Sequence, residues 1–237
     1  MNKIFFPANQ RGTKNSGWLR SNFNFSFSNY YNPTLAAFGT LMAFNDDFLQ
    51  VGKGFGVHPH QNMEIISILL HGEMNHKDSM GYNTTIQAGG VQIMSAGQGL
   101  FHEEYNVGEV EVNFLQIWIQ PKLQNIKPRY QQRLFPKQER VNQLTTVVSS
   151  EEGFEHCWIN QNAKISLGYF EKATHFEYNF NKTNKCVFIF CIEGSFHIAN
   201  QTLVSRDAIG IWDTAQIEIQ ASANSELIII ETVINQK

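Results

Sequence analysis

Five of the eight histidines fall between positions 58 and 102, and their spacing carries a chemical suggestion. His58-Pro59-His60 sets two imidazoles two residues apart, and His102-Glu103-Glu104 repeats that spacing with an imidazole and a carboxylate. In an extended strand, residues two apart share a face. His58 and His60 then point one way, as do His102 and Glu104, while Glu103 points to the opposite side. Two neighbouring strands of this kind bring three imidazole nitrogens and one carboxylate oxygen together. That donor set suits one borderline divalent ion such as Fe, Mn, Co, Ni or Zn, and not the all-oxygen shell of calcium. Gly52, Gly97 and Gly99 precede the two pairs and free the backbone to turn sharply into such a site.

Presenting pairs in this way requires strands, and alternation dominates the chain. Phe23, Phe25 and Phe27 alternate with Asn24, Ser26 and Ser28, and Ile217 and Ile219 alternate with Gln216, Glu218 and Gln220. Short β-rich runs recur at 63–70, 91–94, 112–119, 165–170, 176–180, 186–192 and 227–233, with Gly, Asn or Asp between many of them. Only 129–135 and the chain ends read as short helices. The expected fold class is all-β, of the sandwich or barrel kind. The halves also echo each other: an apolar run, His71-Gly72 and a second run up to His76 is matched by an apolar run, Glu193-Gly194 and a run up to His197. This order implies a duplicated β-barrel unit. Pro121, Pro128 and Pro136, with Lys122, Lys127, Arg129, Arg133, Lys137 and Arg140, mark the middle as a solvated connector. The expected boundaries are a first lobe at 1–125, a linker at 126–139 and a second lobe at 140–237.

Composition excludes several classes of function. Of the 237 residues, 42% are apolar and 19 are Phe, which is ample for a large core, whereas only 16% are charged. The 23 Asn and 18 Gln keep the surface polar without charge. A net charge of -3 disfavours direct binding to nucleic acid or to an anionic membrane. The longest apolar run, 186–192, is far short of the roughly 20 residues that a membrane helix needs. Pro7 cuts off the apolar stretch after Lys3, so no export signal is expected. Cys157, Cys186 and Cys191 form no Cys-x-x-Cys pair and read as buried free thiols in a reducing cytoplasm.

The two blocks resemble the paired motifs of the cupins. The forms Phe55-Gly56-Val57-His58-Pro59-His60 and Ser95-Ala96-Gly97-Gln98-Gly99-Leu100-Phe101-His102-Glu103-Glu104 are similar to those of the pirin family, which carries two cupin domains. Asn45-Asp46-Asp47 and His76-Lys77-Asp78-Ser79-Met80-Gly81 resemble the bacterial members, and the likeness extends over essentially the whole chain. The resemblance implies two cupin domains, with a metal held by His58, His60, His102 and Glu104, and iron is the favoured ion. It assigns the carboxylate ligand to the second block, which leaves Glu64 a structural role. The second lobe has only His175-Phe176-Glu177, without a partner block, and is expected to be a degenerate, metal-free cupin. Some bacterial pirins are described as quercetin 2,3-dioxygenases, which implies a flavonol and O₂ as substrates and Glu104 as the base for the 3-hydroxyl proton. The mammalian member is described as a transcriptional coregulator, which implies a regulatory alternative acting through a protein partner. A saturated structural zinc site would use the same four ligands. His71, His76 and His156 are read as turn or surface residues. Phe55, Met63, Met94, Phe101, Phe114 and Trp118 are read as barrel packing or as the wall of an apolar ligand cavity.

Overall fold

The computed structural model describes residues 1–181 and 186–234, and they form an all-β molecule of two lobes. Among the described residues the helical elements are two short 3-10 turns, Ala8–Gln10 and Lys137–Arg140. None is long and apolar enough to cross a membrane.

Each lobe is a sandwich of a seven-stranded and a four-stranded sheet. The small sheet of the first lobe runs Gly54–His60, Leu100–Asn106, Glu73–Asp78, Asn83–Gln87. That of the second lobe runs Thr174–Asn179, Gln216–Ala221, Ser195–Ile198, Gln201–Val204, which is the same plan in the same chain order. The two large sheets pack against each other. One buried cluster joins Phe44, Ile66, Ile68 and Ile117 of the first lobe to Phe188, Phe190, Ile228 and Ile230 of the second. Phe44 lies at ring distances of 5.0 Å from Phe188 and 4.8 Å from Phe190.

This packing accounts for the unbroken apolar run on the strand Cys186–Glu193. Phe188, Phe190 and Ile192 face the other lobe, while Val187, Ile189 and Cys191 fill their own lobe's interior. A strand buried on both faces cannot alternate, because it has no polar side to present. The three cysteines are buried and unpaired.

Two strands cross between the lobes. Asn2–Phe6, at the start of the chain, pairs with Ala208–Trp212 of the second lobe's large sheet. Arg129–Leu134, which leads into the second lobe, pairs with Gly90–Ser95 of the first. Each lobe therefore lends its leading strand to the other. The helix expected at 129–135 is thus a strand, whose Tyr130 and Phe135 are buried while Arg129 and Leu134 are exposed. The sheet edge on Gly90–Ser95 supplies hydrogen-bond partners that outweigh weak local preference. The stretch 126–139, read as a connector, contributes this strand to the first lobe's sheet. The N-terminal helical candidate is likewise a strand, and residues 235–237 at the other end lie outside the described residues.

Candidate metal centre

The first lobe's small sheet sets out the histidine pairs. Gly54–His60 is its edge strand and lies antiparallel to Leu100–Asn106, with His102 paired to His58 and the register shifting before Glu104. Close approach of these strands depends on Gly54, where a Cβ would meet the Glu104 carbonyl oxygen at 2.2 Å. Gly97, at φ 47°, and Gly99, at φ 126°, turn the chain into Leu100–Asn106 as the sequence suggested.

Along that strand Leu100, His102, Glu104 and Asn106 are buried, and Phe101 and Tyr105 are exposed. Glu103 points outward to Lys77 Nζ at 3.3 Å, so the expected division of faces between Glu103 and Glu104 is seen. Ring centroids of His58, His60 and His102 stand 4.8, 4.4 and 4.9 Å apart, with 4.4 Å separating His58 from His102. Each of these rings offers a nitrogen within 4.8 Å of the other two. Burial above all holds His60 and His102 down to about 4, with neighbouring imidazoles adding to the effect. Both rings are therefore neutral at pH 7, with lone pairs available to a cation. His58 Nδ1 lies 2.8 Å from the Gly56 carbonyl and donates to it, which leaves Nε2 as its free donor atom. His102 Nε2 is buried with no hydrogen-bond partner. An orphaned buried nitrogen facing no partner is costly unless something electrophilic completes it. This donor set fits a borderline divalent cation.

Glu104 enters the cluster through His102. It belongs to a second set, His76, His102 and Glu104, whose ligand atoms also lie within 4.8 Å of one another. Gln92 Nε2 donates to Glu104 Oε1 at 2.5 Å, and His76 Nδ1 lies 4.0 Å from the same oxygen. Burial works to raise the Glu104 pKa, but His76, His102 and Gln92 outweigh it and keep the carboxylate ionised.

His76 corrects the sequence reading, which placed it at a turn or surface. It sits within the strand Glu73–Asp78, is 1% exposed, and stacks on Tyr130 at 4.4 Å and 19°. The carboxylates Glu104 and Asp78 raise its pKa against the opposing effect of burial. The same period-two argument that picked out His58 and His60 applies to Met74, His76 and Asp78, all three buried. That signal is passed over because the run up to His76 reads only as the second strand of a hairpin, with no His-x-His pair to mark its inward face. Gln92, Tyr130 and Trp118 were also beyond the motif logic. Trp118 stands edge-on to His60 at 5.1 Å, capped by Phe27 at 5.0 Å.

The other histidines stay outside the cluster. His71, His175 and His197 are exposed, and His156 lies near the Glu151 carbonyl at 3.0 Å. Glu64 Oε2 accepts from Ser95 Oγ of its own lobe at 2.8 Å and from the Asn160 amide of the other lobe at 3.2 Å. Of the expected cavity residues, Phe114 is fully buried in a separate apolar cluster and Phe101 is 55% exposed. An open recess of about 520 Å³ lies over His60, lined by Pro59, Gln61, Gln98, Leu100 and Phe101.

Two duplicated sandwiches, with a histidine-rich centre inside one, define a two-domain cupin. Family comparison is specific: the Pirin family model matches residues 6–119, and the model described as the quercetinase C-terminal cupin domain matches residues 146–232. The chain is 37% identical over 228 residues to a quercetin 2,3-dioxygenase of Escherichia coli K12, covering 94% of this chain and 96% of that one. It is 32% identical over 226 residues to a pirin-like protein of Caulobacter vibrioides, covering 95% and 97% of the two. Among solved structures it matches the E. coli bacterial pirin YhhW in complex with nickel(II), with a TM-score of 0.92 and 35% identity over 98% of this chain and 100% of that one. The chain belongs to the pirin family.

Proposed function

We propose that this protein is a metal-dependent dioxygenase that cleaves flavonols such as quercetin with O₂. One divalent transition metal is held by His58, His60, His102 and Glu104, with iron the favoured ion. The observation that carries the reading is the cluster of His58, His60 and His102, with His102 Nε2 buried and unpartnered and His60 reached by an open recess. Relatives named as quercetin 2,3-dioxygenase supply the substrate class.

When bound, the metal supplies a Lewis acid and a template for substrate and O₂. The chain's own residues do the rest. His58 is fixed by the Gly56 carbonyl, and His60 is braced edge-on by Trp118, so the cation meets preset donors. The recess opens at the sheet edge beside His60, with the buried Leu100 and the outward-facing Pro59 and Phe101 as apolar surface for a flat aromatic ring. Glu104 is ionised and anchored through Oε1 by Gln92, so a fixed carboxylate stands ready to accept the 3-hydroxyl proton. The second lobe serves as a metal-free scaffold, and three buried free cysteines suit a cytoplasmic setting.

A regulatory role through a protein partner is the second reading. Exposed Val57, Phe101 and Tyr105, on the outer face of the metal-bearing sheet, favour it. Metal analysis of protein purified without added metal, followed by an aerobic quercetin assay on that sample, decides between them. Bound metal with O₂-dependent quercetin loss supports the dioxygenase, and bound metal without turnover points to regulation.

A further inference from the structure

Behind His102 runs a chain of buried polar groups to which the metal reading assigns no role. His102 Nδ1 lies 3.4 Å from His76 Nδ1, and His76 Nε2 lies 3.2 Å from Asp78 Oδ2. The other Asp78 oxygen accepts the backbone N–H groups of Met80, at 2.9 Å, and Tyr82, at 3.2 Å. His76 and His102 are 1% and 3% exposed, so water does not compete for these contacts.

The hydrogens in this chain can be assigned from its acceptor end. An ionised carboxylate accepts only, so His76 must carry its hydrogen on Nε2. With its Nε2–H given to Asp78, His76 turns Nδ1 toward His102 Nδ1, and in the neutral ring that atom carries a lone pair. His102 then donates its Nδ1–H to that lone pair, which leaves Nε2 unprotonated. Nε2 is the atom that is buried without a partner. Tyr130, stacked on His76, locks the ring, and its hydroxyl donates to Gln92 Oε1 at 2.9 Å, the residue that anchors Glu104. A ligand histidine whose second nitrogen is held in this way has its tautomer and orientation fixed.

We propose that His76 is a positioning residue which, backed by Asp78, acts through His102 to keep its Nε2 free for the cation. The proposal rests on the metal-site reading above and deepens it. The test compares wild type with His76→Phe, His76→Gln and Asp78→Asn in the full chain, reading Zn²⁺ affinity by competition with a chromophoric chelator. Imidazole ¹⁵N shifts of His102 in the metal-free proteins, recorded at alkaline pH where His76 is neutral, report the tautomer directly. Phe keeps a flat ring against Tyr130 but offers no acceptor, and a loss of roughly 10–100-fold in affinity is expected. Gln can accept from His102 and donate to Asp78, so it should stay close to wild type. Asp78→Asn can place an N–H against His76 Nε2 and reverse the whole chain, so His102 should appear protonated on Nε2 and bind Zn²⁺ weakly. Wild-type affinity and tautomer in both the Phe and Asn variants would overturn the proposal. Equal losses in Phe and Gln would overturn it in favour of His76 as a direct ligand. A wild-type chain that fails to bind Zn²⁺ would overturn the metal reading and this inference together. Should His76→Phe fail to fold, Asp78→Asn still decides.

Discussion

In the first lobe the strand Leu100–Asn106 turns Leu100, His102, Glu104 and Asn106 inward. In the second lobe the strand at the same place in the small sheet, Gln216–Ala221, turns Ile217, Ile219 and Ala221 inward. The neighbouring strand gives Met74, His76 and Asp78 in one lobe, and Phe196 and Ile198 in the other. The second lobe's interior is accordingly one continuous apolar cluster. The first lobe's interior splits into two smaller clusters, with polar groups in the remaining space. Among the described residues, the buried side-chain atoms left without partners lie in first-lobe segments, apart from Nη1 of Arg140. Sheet order and pairing survive the exchange of inward side chains, so the strand plan specifies the lobe and the inward residues specify the chemistry. Unpartnered buried polar atoms cost stability, and a fold that tolerates them in one of two matching lobes has spent that stability on a site.

The sharpest way to break this comparison is metal stoichiometry. One equivalent of metal per chain is expected, because among the described residues the metal-type clusters lie in the first lobe, and His175 is exposed and paired with Glu218 at 3.5 Å. His58→Ala or His102→Ala should abolish metal binding and turnover, while His175→Ala should leave both unchanged. Two tightly bound equivalents in native protein would show that the second lobe is no scaffold.

Next in size comes the pair of adjacent glutamates. Glu104→Gln should lower flavonol turnover by roughly 10²–10⁴, the usual worth of a placed base. Glu103→Gln loses only its outward contact with Lys77, worth at most about 1 kcal/mol at an exposed site, and should keep full activity. Similar rate losses from the two would contradict the division of faces.

The packing between the lobes gives a third test. Phe188→Ala removes a fully buried ring that meets Phe6, Phe25 and Phe44, and should cost about 3–5 kcal/mol. Denaturant unfolding is expected to remain a single transition, with the whole molecule losing stability. Separate unfolding of two lobes would mean that the shared core and the exchanged strands do not couple them.

Much of this arrangement was legible in the sequence because period-two spacing is local. That His58, His60 and His102 come together and that Glu104 shares the inward face with His102 needed only the geometry of a strand, and the all-β fold needed only alternation and turn residues. His76 was missed, although the same rule applied, because it ends the short run after the glycine turn and no second ligand type two residues before it marks an inward pair. The strand Arg129–Leu134 was hidden for a different reason. Its partner Gly90–Ser95 is distant in the sequence, and prolines on either side favour a connector when read locally. The exchange of leading strands has no local signal at all, since edge pairing depends on which backbone is left open in the folded lobe. The apolar run at 186–192 was visible, but the second lobe packed against its far side was not.

The smallest expected effect concerns buried carboxylates. In the second lobe Glu231 is fully buried and met by Lys164 at 2.7 Å and by the Tyr178 hydroxyl. In the first lobe Asp47 is 2% exposed and has an oxygen without a partner. Burial raises the Asp47 pKa to about 7, with Asp46 and Glu104 adding to it and the Ser21 hydrogen bond opposing. A carboxyl whose folded pKa lies above its unfolded value binds a proton more readily in the native state. Its ionisation therefore penalises folding, and stability is lost as pH rises from about 4 to about 7. Asp47→Asn removes that titration. Its melting temperature should draw level with wild type near pH 4 and exceed it by pH 8, by about 2–4 °C for each kcal/mol recovered. The gap should stop widening above pH 8, where Asp47 is ionised in both states. A gap that does not change between pH 4 and pH 8 would mean that Asp47 is paired like Glu231, and the contrast between the two interiors would lose its electrostatic part.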